Sequence, residues 1–183
     1  MSEKQVIKHC APTLAGLKSG SMFSCRAQSK EEILHELRRY NRLLRPKGIR
    51  FILLRLSQGR ALIYLYRITH LRRALANRLA RRHLAALGYP VDNVGACVAK
   101  LAARIRASQE FPHEVGFFLG YPPEDVLGFI RDGSRACKAV GHWKVYGDEE
   151  AARRRFAQLN KCTATYTALF ASGKTLERLC VAS

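Results

Sequence analysis

Residues 49–67 read IRFILLRLSQGRALIYLYR, and this stretch decides the fold. Two nearly continuous apolar runs stand on either side of Gln58 and Gly59. Two such runs around a short Gly-containing turn are typical of a β-hairpin. Because apolar residues lie on both faces of each run, we expect the hairpin at the centre of a sheet that helices cover on one or both sides.

Helical patterns occupy most of the remaining chain. Ser29 and Glu32 have the spacing of a capping box, and apolar residues recur at helical spacing after them. Similar patterns predict helices over residues 69–87, from Asp92 onward and from Asp148 onward. The N-terminal pattern predicts a short helix over residues 3–10 that Pro12 ends. Residues 21–26 are predicted to form a short edge strand.

Residues 111–148 read FPHEVGFFLGYPPEDVLGFIRDGSRACKAVGHWKVYGD and hold the only Trp of the chain. They predict a short helix at 113–119, a second helix that begins at Pro123, and a strand at about 136–146. The whole chain of 183 residues then fits one domain over 1–183. We predict an α+β fold, with a small, mostly antiparallel sheet covered by about seven helices. The sheet comprises the central hairpin at about 49–67 and the strand at about 136–146.

The net charge is +18, and it is unevenly distributed. Residues 37–109 contain 17 Lys and Arg but one acid, Asp92, which is a local net charge of +16. Such a field favours polyanions such as nucleic acids, although a solvated basic face is also common in proteins without such a partner. The candidate polyanion-binding residues lie in the predicted helix 69–87: Arg72, Arg73, Arg78, Arg81 and Arg82.

The termini and cysteines bear on localisation and on metal chemistry. Early charges and the lack of a following apolar core predict no signal peptide, and no run is long enough to span a bilayer. We therefore expect a cytoplasmic protein whose six cysteines are free thiols. No CxxC pair occurs, so we assign no metal ligands, and the cofactor is unknown. The scattered residues His9, Cys10, His113, Cys137 and Cys162 would form a metal or haem site only if the fold brought them together.

Two adjacent pairs are candidates for catalysis. His113 and Glu114 have the residue types of an acid–base pair, although neighbouring residues on a helix point about 100° apart. The alternative is that both have a structural role at a helix start. Cys137 next to Lys138 suggests an activated thiolate, but alternation along a strand places the two side chains on opposite faces. This placement weakens the thiolate hypothesis, and the alternative is that Cys137 is a small buried apolar residue.

Aromatic and basic residues near the same stretch suggest a ligand pocket. Tyr121, Trp143 and Tyr146 would line a site for a flat ligand, or they belong to the core. Lys18 and Lys144 would supply positive charge if that ligand were anionic. With His9 and Cys10, these residues place the expected site between the N-terminal HCAPTL segment, the helix at 113–121 and the strand at 137–146.

Four strings resemble one family: HCAPTLAGLK, FPHEVGFFLGYPPEDVLGF, CKAVGHWKVYGDEE and KCTATYTALF. They are similar to the domain of unknown function 3793 family, small proteins of mostly anaerobic bacteria. The resemblance covers nearly the whole chain and implies a cytosolic protein of one domain, but it implies no activity. The chain differs from the family pattern at His142, where an aromatic residue is usual, and at Ala139, where relatives often carry a second Cys.

Three functions follow as hypotheses. The first is a protein that binds a small molecule or a protein partner at the site just described. The second is a sequence-independent nucleic-acid binder that uses the basic region. The third is a thiol- or metal-dependent enzyme that acts through Cys137 and His113.

Overall fold

The computed structural model describes residues 1–108 and 110–182. In these residues the strands are β1 (Gly20–Arg26), β2 (Ile49–Ser57), β3 (Arg60–Arg67), β4 (Ala139–Val140) and β5 (Lys144–Val145). The helices are α1 (Glu3–Leu14), α2 (Lys30–Leu44), α3 (Ile68–Ala76), α4 (Arg78–Ala86), α5 (Val94–Ala107), α6 (Val115–Leu119), α7 (Pro123–Asp132), α8 (Glu149–Ala171) and α9 (Leu176–Leu179). The predicted α+β class with a small antiparallel sheet is confirmed.

The main sheet has three antiparallel strands in the order β1-β3-β2. The predicted hairpin is present as β2 and β3, and the predicted edge strand is β1. Only β3 is central, so the expectation that both strands of the hairpin lie at the centre is wrong for β2. Strand β2 is apolar on both faces because helices cover both faces, not because it has a strand on each side.

A β-bulge interrupts the β2–β3 pairing at Leu54. Leu53 pairs with Ile63 and Arg55 pairs with Leu62, so Leu54 is the extra residue. Leu54 is 0% exposed. The bulge shifts the alternation of β2 by one residue, since an extra residue changes which face each later side chain occupies. Leu53 and Leu56 therefore both pack against the same core.

Two apolar cores lie on the two faces of the sheet. The first core joins α1, α2 and α9 to the sheet, and it includes Ile7, Leu37 and Phe51. The second core joins α3 to α7 to the opposite face, and it includes Leu71 and Phe118. Helices on both faces confirm the layered arrangement that the apolar hairpin predicts.

Residues 136–146 do not add a strand to the main sheet, which corrects the prediction. The chain reverses at Gly141, whose N–H donates to the carbonyl of Trp143 at 3.0 Å, and β4 and β5 form a separate two-stranded hairpin. A Cβ atom at Gly141 would overlap the ring of Phe156 on α8. The alternation seen in the sequence is therefore real, but a tight reversal replaces a continuous strand.

The first helix continues past the predicted end at residue 10. Helix α1 contains Pro12 and ends in a Schellman motif, in which Leu17 N–H donates to Pro12 O at 2.8 Å and Gly16 N–H to Thr13 O at 3.2 Å. Gly16 has φ +76°, which is the left-handed conformation that this motif needs. Burial of Thr13 and Leu14, both 0% exposed, outweighs the cost of the proline.

The predicted helix over 69–87 is two helices that meet at Asn77. The Asn77 side chain accepts hydrogen bonds from the N–H groups of Leu79 (2.9 Å) and Ala80 (3.4 Å), so it caps α4. The break changes the phase of the apolar stripe, and Leu79 is 47% exposed instead of buried. The basic residues of this region are accordingly divided between two helices.

Arg67 is a buried cation at the end of the central strand. It is 0% exposed, and its guanidinium donates to the carbonyls of Thr13 and Val181, both at 2.6 Å. It also donates to the carbonyl of Leu14. These carbonyls belong to the end of α1 and to the C-terminal segment. Arg67 therefore ties both chain ends to β3, because a buried charge needs such partners.

Candidate ligand pocket

Asp125 joins helix α7 to the β4–β5 hairpin. It is 3% exposed, and its Oδ1 accepts hydrogen bonds from the backbone N–H groups of Tyr146 (2.7 Å) and Gly147 (2.8 Å). Its Oδ2 accepts a hydrogen bond from the indole Nε1–H of Trp143 at 2.7 Å. Three N–H donors satisfy this buried carboxylate and fix the orientation of the indole.

Trp143 is packed between aromatic rings. Its ring centroid lies 5.0 Å from that of Tyr121 in a stacked geometry and 4.5 Å from that of Phe156 in an edge-on geometry. Both are favourable arrangements for aromatic pairs. The structure therefore brings together Tyr121 and Trp143, which the sequence assigns to one pocket.

A pocket of about 240 Å³ lies beside these rings, between α6, α7 and the β4–β5 hairpin. Apolar and aromatic side chains make most of its wall: Phe111, Val115, Tyr121, Val126, Phe129 and Trp143. His113, Asp125 and Lys144 add polar groups. Four residues that the sequence nominates, His113, Tyr121, Trp143 and Lys144, thus share one cavity.

Lys144 supplies positive charge to this pocket. Its Nζ donates to the Ser134 hydroxyl and lies 5.1 Å from the centroid of the Phe129 ring. The imidazole of His113 also lines the pocket. It is edge-on to the Phe129 ring, with the ring centroids 4.8 Å apart. Asp125 already accepts three hydrogen bonds, so Lys144 is the charge that remains available to a bound group.

Glu114 lies apart from His113, although the two are adjacent in sequence. It is 4% exposed, and its Oε1 accepts hydrogen bonds from Tyr89 Oη (2.9 Å) and Arg104 Nε (2.7 Å). Burial, together with the Glu114 carboxylate, raises the pKa of Tyr89 above its ordinary value. Glu114 therefore has a structural role between α5 and α6, and the structure gives it a different set of partners from His113.

Cys137 is half-buried beside the hairpin. Its thiol donates to the carbonyl of Ser134 at 3.5 Å, whereas the neighbouring Lys138 donates to the carbonyl of Gly147 at 2.7 Å. The adjacent lysine is thus directed to a backbone carbonyl. His113, the partner in the enzyme hypothesis, contacts Phe129.

Three other nominated residues lie elsewhere. His9 is exposed and stacks on Phe23 with centroids 5.5 Å apart, and Cys10 is 0% exposed in the core that α1 and α2 form with the sheet. That core lies across the sheet from α6. The Tyr146 hydroxyl donates to the carbonyl of Gly133 and closes the end of α7. None of the three lines the pocket.

Lys18 lies next to Tyr121 but in another cavity. Its Nζ is 5.2 Å from the centroid of the Tyr121 ring. Burial lowers the pKa of Lys18 to about 8, and the nearby Arg155 guanidinium acts in the same direction. Tyr121 is shared by both cavities.

The five arginines of α3 and α4 are exposed: Arg72, Arg73, Arg78, Arg81 and Arg82. They are not equivalent. Arg81 forms an ion pair with Asp92 at 2.6 Å, and Arg73 lines the cavity that contains Lys18. Arg72, Arg78 and Arg82 are the members that face solvent without either of those roles.

The structure holds the six cysteines as free thiols. Burial raises the pKa of the Cys25, Cys97, Cys162 and Cys180 thiols above the ordinary value. Within residues 1–108 and 110–182, no three His, Cys, Asp or Glu side chains converge as a metal site would require. In the same residues, no helix is both long and apolar enough to cross a bilayer.

The sequence alone does not indicate a role in the pocket for Asp125 or Phe129. Asp125 has the position of an acid in the first turn of a helix, which explains it without any reference to Trp143. Phe129 follows the apolar spacing of α7, which is the pattern of an ordinary core residue. No local signal distinguishes either of them, because their partners lie on the following hairpin.

Comparison with known proteins identifies a family for nearly the whole chain. The model of the family described as protein of unknown function (DUF3793) matches residues 6–180. No curated protein and no solved structure matches. The matched range includes both the main sheet and the pocket beside Trp143. The chain therefore belongs to the DUF3793 family.

Proposed function

We propose that the protein binds a small, flat ligand that carries an anionic group, in the pocket between α6, α7 and the β4–β5 hairpin. The observation that carries the proposal is the cavity of about 240 Å³ with aromatic walls and the ammonium group of Lys144 at its edge. Ligand sites are typically apolar cavities with a small number of oriented polar groups. This cavity has that composition.

The size of the cavity limits the ligand. Pockets for drug-sized molecules measure about 300–1,000 Å³, so this cavity suits a ligand of one or two rings. The Tyr121 and Trp143 rings offer faces for stacking, and the Asp125 carboxylate keeps the indole in place. The walls are built before any ligand binds, which lowers the entropic cost of binding.

The exposed arginines favour nucleic acid as a second candidate partner. Arg72, Arg78 and Arg82 offer positive charge on two adjacent helices, and contact with phosphates requires no more than that. The enzyme hypothesis has less support, because Cys137 and His113 have separate partners, Ser134 and Phe129. We place the protein in the cytoplasm as part of the same proposal.

The single Trp makes the proposal directly testable. In a ¹⁵N-labelled protein, the indole N–H gives one cross-peak that belongs to Trp143. Benzoate should shift this peak in a saturable way, whereas benzamide, which has the same ring without the charge, should bind at least about tenfold more weakly. Absence of any saturable shift with either compound would overturn the proposal.

A matched pair of variants tests the role of Lys144. Lys144→Met keeps the length of the side chain and removes its charge, so benzoate should lose its advantage over benzamide. Lys161→Met removes one charge from an exposed position of α8 and serves as the control. If both variants weaken benzoate equally, the general field of the protein, not Lys144, attracts the ligand.

A further inference from the structure

A second cavity, of about 470 Å³, is also lined by Tyr121. The loop after α1, helix α3, the segment between α6 and α7, and helix α8 form its walls. Three basic side chains line it: Lys18, Arg73 and Arg155. His70 adds an imidazole. Of the described residues that line this cavity, none is acidic.

The loop that carries Lys18 is held in place by backbone hydrogen bonds. Lys18 N–H donates to Pro12 O at 3.2 Å, and the next carbonyl, that of Ser19, accepts from Arg67 N–H at 2.9 Å. Arg155 of α8 also donates to the carbonyl of Leu17. The backbone that carries Lys18 is therefore fixed by the fold, and its Nζ lies over the Tyr121 ring.

Among the described residues, Lys18 has no anionic partner. In that part of the chain, its Nζ contacts the ring of Tyr121 and makes no hydrogen bond or ion pair. Its pKa is lowered to about 8, first by burial and also by Arg155. A charge in such a position destabilises the folded state, because the fold disfavours the protonated form.

His70 completes the cavity as a neutral group near pH 7. Burial lowers the pKa of His70 below its ordinary value, and the nearby Arg67 and Arg73 act in the same direction. A hydrogen bond with the Gly16 backbone acts in the opposite direction, and His70 Nδ1 also lies 3.2 Å from Thr69 Oγ1. His70 is therefore a polar neighbour of the cations in this cavity. The cationic groups that line the cavity come from three separate elements, which are the loop after α1, helix α3 and helix α8.

We propose that this cavity binds a phosphate group, with Lys18 and Arg73 as its principal donors and His70 beside them. A phosphate dianion matches several converging cations better than a carboxylate monoanion does, because each added opposite charge strengthens the attraction. Arginine presents a planar fork of donors that fits phosphate oxygens. This cavity has its own cations and adjoins the pocket of Trp143 at Tyr121, so the inference needs no ligand in that pocket.

The test is calorimetric titration with inorganic phosphate against sodium chloride at matched ionic strength. The protein should bind phosphate in a saturable way that the chloride control does not reproduce. Lys18→Met should weaken phosphate binding by about tenfold or more. The same variant should melt at an unchanged or higher temperature, since it removes a half-buried cation whose protonated form the fold disfavours.

Arg73→Gln and Arg72→Gln form a matched pair. Both residues are exposed on α3, both variants lose one charge, and only Arg73 lines the cavity. Arg73→Gln should weaken phosphate binding severalfold, whereas Arg72→Gln should change it by less than about twofold. The proposal fails if phosphate does not bind, or if Lys18→Met and Arg72→Gln weaken it equally.

A further titration identifies the source of the phosphate group. Phenyl phosphate should bind through the same residues, and tighter binding than that of inorganic phosphate would identify a phosphomonoester as the ligand. Equal affinities would identify free phosphate. Dependence of both on Lys18 is required, and binding that Lys18→Met leaves intact would overturn the assignment. Phosphate binding is judged by its dependence on Lys18 and benzoate binding by its dependence on Lys144, so the two proposals fail independently.

Discussion

At the scale of single residues, Asp125 organises the region around the pocket. Its carboxylate accepts hydrogen bonds from Trp143 Nε1 and from two backbone N–H groups of the segment after β5. Neutral acceptors would make weaker bonds to these donors. The position of the only Trp of the chain therefore depends on an acid 18 residues earlier.

Replacing Asp125 with Ala should lower the free energy of unfolding by about 3 kcal/mol or more. The reason is that three half-buried N–H donors lose a charged acceptor at once, and a hydrogen bond to a charged group contributes about 1.5–3 kcal/mol. Chemical denaturation, followed by Trp143 fluorescence and by circular dichroism, measures the loss. Asp132→Ala is the control, since Asp132 in the same helix pairs with the exposed Arg131 and should contribute much less, because water screens such pairs. Similar losses in both variants would contradict the role given to Asp125.

Arg67 is a buried cation and Lys18 a half-buried one, and the two have different partners. Arg67 donates to backbone carbonyls of both chain ends, so its burial stabilises their attachment to β3. Lys18 contacts an aromatic ring, and burial lowers its pKa to about 8. The first arrangement is complete within the chain, whereas the second is suited to an anion from outside.

At the scale of elements, the bulge in β2 changes which core the later side chains of the strand face. Leu54 lies in the second core, while Leu53 and Leu56 pack against the first. The extra residue returns Leu56 to the side of the sheet that Leu53 occupies. Strand β2 therefore contributes to both cores although it is at the edge of the sheet.

Leu54→Ala should destabilise the protein by about 2–5 kcal/mol, because it removes buried methyl groups and leaves a cavity. Arg72→Ala on the exposed face of α3 should change stability by less than about 0.5 kcal/mol. Equilibrium unfolding in urea compares the two variants. Equal losses would show that Leu54 is not at the centre of a packed core or that Arg72 is packed inside.

Helices α3 and α4 present their arginines in two directions. The Asn77 cap ends one helix and begins the next, so Arg72 and Arg73 belong to α3 while Arg78, Arg81 and Arg82 belong to α4. A single continuous helix would carry all five along one axis. The basic surface is accordingly less regular than the sequence pattern indicates.

At the scale of the whole molecule, the basic side chains that give the net charge of +18 lie in several different environments. Arg67 is inside the protein, Arg81 and Arg104 pair with acids, and Arg73 lines a cavity. The local net charge of +16 over residues 37–109 therefore overstates the charge that a polyanion would meet. The exposed and unallocated part includes Arg72, Arg78 and Arg82.

Binding of a random 20-base-pair duplex should weaken steeply with salt if nucleic acid is a partner. Exchanging Arg72, Arg78 and Arg82 for Gln should reduce the slope of log K against log salt by up to about 0.9 for each phosphate that the protein no longer neutralises. Fluorescence anisotropy at several salt concentrations measures the slope. The control replaces Arg131, Arg153 and Arg154, which pair with acids on α7 and α8. An equal effect of the control would indicate diffuse attraction, and no binding at low salt would exclude the hypothesis.

Local patterns predict most helices, because periodic apolar residues and caps act within one element. The Ser29 hydroxyl accepts from Glu32 N–H at 3.1 Å, and the Asp148 carboxylate accepts from Ala151 N–H at 2.9 Å, as their positions in sequence indicate. Patterns failed where a tertiary contact outweighed a local preference. Pro12 remains inside α1 because the residues after it are buried. The chain at 136–146 reverses at Gly141, where the Phe156 ring leaves no room for a side chain.

The residues of the candidate sites are likewise of two kinds, those that the sequence indicates and those that only the fold brings together. The sequence alone nominated Tyr121, Trp143, Lys144 and His113, because aromatic and charged residues cluster in one short stretch. Asp125, Arg155 and the shared cavity of Lys18 with Arg73 follow only from packing, since their partners lie on other elements. Apolar periodicity therefore determined the class of fold and the presence of the β2–β3 hairpin. Tertiary structure decided which charges meet, because hydrogen bonds and charge depend on distance in space and not on spacing along the chain.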